Sequence, residues 1–130
     1  MRSIFGNVFE ARPVSKTQNT TDATATTVYS ALLAEEQTIS ITVKGTVRSS
    51  DGAINGSFLT TGAYYRNTAG DVTDVNEGQH DIYTTYTGGA TAEVTLVINT
   101  TTQAIDIKVT GQTSVNFQWN LDISGIKVSY

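Results

Sequence analysis

The stretch VNFQWNLDI, residues 115–123, alternates without a break. Val115, Phe117, Trp119, Leu121 and Ile123 take every second position, and Asn116, Gln118, Asn120 and Asp122 fill the gaps. Successive side chains of a strand point to opposite faces, so this period predicts a strand with one dry face and one wet face. The dry face reads as core. The wet face is made of amides and one carboxylate, with nothing reactive on it, and it sets the functional question.

Working outward, the same period recurs. QTISITVKGTV (37–47) alternates through Ile39, Ile41, Val43, Gly45 and Val47, and Asp51-Gly52 is a pair that hairpin turns favour. SFLTTGAYYRN (57–67) reads as a strand with a candidate bulge at Gly62. VTDV (72–75) and HDIYTTYT (80–87) follow around the loop NEGQ. AEVTLVI and AIDIKV then flank NTTTQ as a second hairpin. TVYSALLAEE (27–36) suits either a strand or a helical turn. About eight to ten short strands at this spacing predict an all-β fold, an antiparallel β-sandwich or jelly-roll-like domain. Val43, Leu96, Ile98, Ile107, Val109, Phe117, Trp119 and Leu121 are the expected core.

The first fourteen residues differ from the rest. Ile4, Phe5, Val8 and Phe9 precede the single proline, Pro13, and residues 15–26 (SKTQNTTDATAT) hold no large apolar side chain. The expectation is an N-terminal arm and connector over 1–26, with Pro13 ending a short strand, and a sandwich domain over 27–130. An extended segment of fourteen residues spans about 45 Å, enough to clasp a neighbouring subunit through Ile4, Phe5, Val8, Phe9 and Pro13.

Composition narrows the function classes. Of 130 residues, 38% are hydrophobic and only 15% charged, against about 25% charged in an average soluble protein; Thr, Ser, Asn, Gln and Gly supply the remainder. β-Branched Thr is stiff at χ1 and suits a pleated surface. The net charge is −4, and the eight basic residues, Arg2, Arg12, Lys16, Lys44, Arg48, Arg66, Lys108 and Lys127, are scattered, which argues against a phosphate-tracking stripe and so against nucleic acid. With no cysteine, disulfides, thiolate metal sites and cysteine nucleophiles are excluded. The N-terminus lacks the apolar core of a signal peptide and no run is long enough to span a membrane, so a soluble protein made in a cytoplasm is expected. Asn19, Asn55 and Asn99 begin Asn-x-Ser/Thr triplets, which a Thr-rich chain produces by chance.

Candidate sites are few. Asp71, Asp74, Glu77 and Asp81 surround the only histidine, His80. Several carboxylates on a flexible loop suit a hard cation such as calcium, whereas a solvated hairpin tip needs no ligand; the reading adopted is no metal and no cofactor. His80 beside Asp81 gives half a triad, but no nucleophile elbow accompanies it, and paired carboxylates for glycoside hydrolysis are not marked by any spacing. A non-enzymatic protein is expected. Tyr64 and Tyr65 must face opposite sides of a strand, as must Tyr83 and Tyr86, so one ring of each pair can share an outer face. Exposed tyrosines among amides form a candidate ligand surface for carbohydrate or protein.

The run TTDATATTVYSALLAEEQTISITVKGTVRSSDG (20–52) resembles a module of tailed-bacteriophage virion proteins, notably tail-fibre and head-surface proteins. The matching pieces are a TTDAT lead-in at 20–27, a strand ending in a basic residue before the Asp-Gly turn at 43–52, an aromatic-Arg strand with a Gly-Asp turn in AYYRNTAGDVTDV (63–75), and a late Trp strand in IDIKVTGQTSVNFQWN (105–120). Ala25 stands where the lead-in otherwise carries proline, and residues 1–14 fall outside the resemblance. The resemblance implies a virion structural protein. A chain of one domain starting at methionine leads to the expectation of a capsid decoration or cement protein on the outer shell. Its partners would be the major capsid protein and sister subunits in a homo-oligomer, a trimer favoured, on virions assembled in the host cytoplasm. The alternatives are a tail-fibre domain that binds host-surface glycans and a carbohydrate-binding module.

Overall fold

The computed structural model describes residues 7–76, 78–88 and 91–130, and side chains from Pro13 onward within them. Among them are nine strands and no helix: β1 (Asn7–Thr20), β2 (Ala25–Leu32), β3 (Gln37–Ser49), β4 (Asn55–Arg66), β5 (Thr73–Asp74), β6 (His80–Tyr86), β7 (Glu93–Asn99), β8 (Ala104–Thr110) and β9 (Phe117–Ser129). They form two antiparallel sheets packed as a β-sandwich. The larger runs β1-β9-β3-β4-β5, with β6 also on β4, and the smaller runs β2-β8-β7. The region left between strand and helix in sequence, 27–36, belongs to β2 as far as Leu32.

Period-2 alternation does the sorting. On β9, Phe117, Trp119, Leu121 and Ile123 are buried while Gln118, Asn120, Asp122 and Ser124 are exposed; on β3, Ile39, Ile41, Val43 and Val47 turn in. These two strands pair along their whole length, Val43 opposite Ile123 and Val47 opposite Trp119, so their apolar residues form one continuous floor. The central strand of the small sheet, β8, closes it from above with Ile105, Ile107 and Val109 fully buried. Of the expected core, Leu96 and Ile98 are half-buried on β7, at the sheet edge, and the others are fully enclosed.

Two expectations are corrected. Residues 7–20 are not an arm and connector: they form β1, an edge strand paired with β9 from Asn7 opposite Ser129 to Thr20 opposite Phe117. Pro13 does not terminate it. The register shifts between Ala11 and Val14, and Pro13 sits exposed in that irregularity, where a missing N–H costs no ladder hydrogen bond. Polar sequence fits an edge, because its residues reach only the rim of the core: Lys16 lies 5.8 Å over the Tyr29 ring of β2, and Thr20 accepts the Trp119 Nε1–H at 3.0 Å. Ile4 and Phe5 lie outside the described residues; Val8 and Phe9 belong to β1 by backbone, opposite Val128 and Lys127. Second, Gly62 is not a bulge. It pairs in register with Ile41, and an added Cβ would lie 2.7 Å from the Tyr64 hydroxyl and 2.9 Å from Leu96 Cδ1, so the position is bare to admit those side chains. The irregularity of this region falls on β6, where Leu59 pairs with Tyr83 and Thr60 with Asp81, leaving Ile82 unpaired and exposed.

Side-chain amides tie the two sheets together. Gln79, just before β6, accepts from Leu96 N–H at 2.8 Å and donates to the Val94 carbonyl at 2.8 Å, so its amide stands in for a neighbouring strand on the open edge of β7. Its Nε2 also donates to Asp81 at 2.7 Å.

Candidate functional site on the outer face of the large sheet

Cross-strand register arranges the outward side chains of the large sheet in rows. One row runs Asn19 (β1), Gln118 (β9), Arg48 (β3) and Asn55 (β4); the next runs Thr17, Asn120, Thr46, Ser57 and Thr85; the third runs Ser15, Asp122, Lys44, Leu59 and Tyr83. Farther along, Ser124, Thr42 and Thr61 follow, then Ile126, Ser40 and Ala63, then Val128, Thr38 and Tyr65. The rows are partly locked: Thr17 donates to Asn120 Oδ1 at 2.9 Å and Ser15 to Asp122 Oδ1 at 2.8 Å. The wet positions of VNFQWNLDI thus belong to a hydroxyl and amide lattice five strands wide.

Two depressions are lined by the polar rows of β9 and β3. One, of about 320 Å³, is lined by Lys44, Thr46, Ser57, Tyr83, Asn120 and Asp122, with Gly45 and Leu121 as floor. The other, of about 470 Å³, lies at the end of the sheet, where Asn19, Thr21, Arg48, Ser50, Asn116 and Gln118 supply the exposed polar lining. Beyond the bulge in β1, the face changes character: Ile126 is 56% exposed and Val128 46%, and Tyr130 projects fully.

The four tyrosines separate. Tyr83 is 45% exposed and faces out over the first depression. Tyr65 shares that face, half-buried, but six residues along β4 from the partner of Tyr83, or about 20 Å, so the two rings do not form one platform. Tyr64 is 1% exposed and belongs to the core, which corrects its place in the ligand surface: Phe58, Thr60 and Tyr64 are the inward set of β4. Tyr86 is half-buried, with its ring laid over the bare Cα of Gly56. Neither the Tyr64 nor the Tyr86 hydroxyl has a hydrogen-bond partner among the described residues. Burial pushes both phenols up to about 12, with the charge of Asp74 adding to Tyr64 and those of Glu93 and Asp81 to Tyr86.

The acidic loop disperses rather than converges. Asp71 accepts from Gln103 Nε2 at 2.7 Å, and Asp81 accepts from the buried Thr60 hydroxyl at 2.7 Å as well as from Gln79. Among the described residues, no group of three His, Asp or Glu side chains is placed to share a cation; Glu77 lies outside them. His80 is exposed, and its carbonyl, not its ring, takes the second contact of Thr60, at 3.1 Å. The carboxylate of Asp51 is held below the usual range by the Ala53 N–H and then the Ser49 hydroxyl, a turn-forming role.

Arg48, Lys44, Asn19 and Asn116 were not singled out by sequence as ligand contacts, although the wet positions of β9 and β3 carried the signal. Alternation says that Gln118, Asn120 and Lys44 face out; it does not say that β1, β9, β3, β4 and β6 lie side by side.

No family model matches the chain, and no curated protein sequence matches it. Among solved structures it is similar to the crystal structure of the Acinetobacter baumannii phage AM24 tailspike protein, at 8% identity with a TM-score of 0.46. The similarity covers 91% of this chain and 26% of that one, so the chain spans about a quarter of that protein's length.

Proposed function

We propose that the chain is a non-enzymatic contact module of a tailed-phage virion, recognising host-surface saccharide through the outer face of its large sheet. The observation that carries this reading is the depression at Tyr83. An exposed aromatic ring stands beside Lys44, Thr46, Ser57, Asn120 and Asp122, a mixture of one stacking surface with donors and acceptors that suits a polyhydroxylated ring. The resemblance in 20–52 and its continuations supplies the phage context. Folding of residues 7–20 into the sheet removes the reason for making an arm the main contact, and so favours the face over a hook.

Binding of the intact protein to an array of bacterial-surface glycans tests the reading. Tyr83→Ala, which removes an exposed ring from a six-stranded sheet and leaves the core intact, is expected to abolish retention without lowering Tm. Retention unchanged in that variant, or no glycan retained by the unaltered protein, would refute it.

A second reading, capsid decoration with the major capsid protein and sister subunits as partners in a homo-oligomer, draws on a different observation. Ile126, Val128 and Tyr130 expose apolar surface at one end of the face, where a shell or sister subunit would cover it. Co-sedimentation with capsids that withstands high salt and is lost in Ile126→Ser/Val128→Ser supports it; equal sedimentation of the variant rules it out.

A further inference from the structure

The depression at the end of the sheet differs from the one at Tyr83 in a way that specifies a ligand. We infer that it is a carboxylate subsite for an acidic saccharide, with Arg48 as the recognising group; this rests on the saccharide reading above and deepens it.

Three features support the assignment. Among the described residues Arg48 is the only charged one in the lining, which holds no carboxylate, although the chain as a whole carries a net charge of −4. Its guanidinium is held in place before any ligand arrives. Nη1 donates to Asn55 Oδ1 at 2.7 Å, Asn55 Nδ2 donates to the Gly52 carbonyl at 3.0 Å, and an added Cβ on Gly52 would lie 2.7 Å from Arg48 Nη2. Because Nη1 is engaged by a neutral amide rather than by a carboxylate, the guanidinium keeps its full charge, and pre-ordering lowers the entropy lost on binding a planar anion. The rest of the lining is amide and hydroxyl: Asn19, Gln118 and Asn116 with Thr21 and Ser50, while the one aromatic residue, Phe117, is 2% exposed. That composition matches a hydroxylated ring bearing a carboxylate.

Position joins the two depressions. Arg48 and Lys44 are four residues apart on β3, both facing out, which is about 13 Å along the strand. One oligosaccharide lying along β3 can place a ring on Tyr83 and its acidic unit at Arg48.

The test uses an array carrying sialylated and uronate-bearing oligosaccharides, each beside its carboxyl methyl ester, with sulfated glycans and a hexaglutamate peptide as further probes. The unaltered protein is expected to prefer the free acids by about 10- to 100-fold over the esters, the range for a charge-assisted pair. Arg48→Gln is expected to erase that preference while leaving Tyr83-dependent binding of the esters, and Arg48→Lys to keep part of it. Because the ester comparison needs no substitution, loss of folding in a variant does not blunt it. Tyr83-dependent binding that is indifferent to esterification overturns the carboxylate subsite and leaves the saccharide reading standing. Binding of no glycan at all overturns both. A stronger response to sulfated glycans or to hexaglutamate than to the free acids overturns the assignment of the ligand.

Discussion

Thr20→Val isolates the contact that fixes β1 to the core. The Trp119 indole is fully buried, and its N–H has Thr20 Oγ1, itself on a 5% exposed residue, as its acceptor. Valine keeps the shape and removes the acceptor, so the indole N–H is left in an apolar site. The cost of an unsatisfied buried donor is about 1–3 kcal/mol. With an unfolding entropy of about 2.1 cal/mol/K per residue, each kcal/mol lowers Tm by about 4 °C in a chain of 130 residues, so a fall of about 4–11 °C is expected. The decisive measurement is a double-mutant cycle by urea denaturation with Trp119→Phe, which removes the donor. In that background Thr20→Val should cost less by about 1 kcal/mol or more. Equal costs in the two backgrounds, or an unchanged Tm in the single variant, would show that β1 is not anchored at this point. The integrity of the Arg48 cleft would then be in question too, since Asn19 lines it from the same strand.

Gly56→Ala drives a methyl group into the Tyr86 ring and to 2.9 Å from Val47 Cγ1, so a loss of about 1–3 kcal/mol is expected in the urea midpoint, relieved when Tyr86 is also shortened to Leu. Gln79→Ala strips the edge of β7 of two backbone partners; amide exchange at Leu96 should accelerate, with a stability loss of about 1–2 kcal/mol, and unchanged exchange there would show that the clasp is idle. Tyr64 and Tyr86 have folded-state values of about 12 against 10.0 for an ordinary phenol. The folded protein therefore holds protons that the unfolded chain gives up, and the stability they contribute is intact below pH 10 and lost as pH rises toward 12. Tyrosinate absorbance should show two late phenols whose ionisation coincides with unfolding, and Tyr64→Phe should move that unfolding to higher pH.

Period-2 alternation in residues 37–47 and 115–123 marked β3 and the first half of β9, which begins at Phe117 with Val115 and Asn116 still in the preceding loop, and with them the inward residues Ile41, Val43, Trp119 and Leu121. Side-chain direction in a strand follows from the backbone alone, and so it is legible locally. Asp51-Gly52 likewise announced its turn, because Gly52 at φ 75° and the Asp51 carboxylate are local devices. What only the tertiary structure decided is everything that depends on a partner distant in sequence. Residues 15–20 look like a connector because an edge strand needs few apolar side chains; their strand state comes from hydrogen bonds to β9, about a hundred residues away. Tyr64 and Tyr65 had to differ in direction, but which of them is buried depends on the sheet that packs against β4. Gly62 reads as a bulge until Tyr64 and Leu96 are seen to need its space. The outer face follows the same rule: the wet residues were visible one strand at a time, and only the order β1-β9-β3-β4, with β6 also on β4, sets Arg48 among amides and Tyr83 beside Lys44 and Asp122.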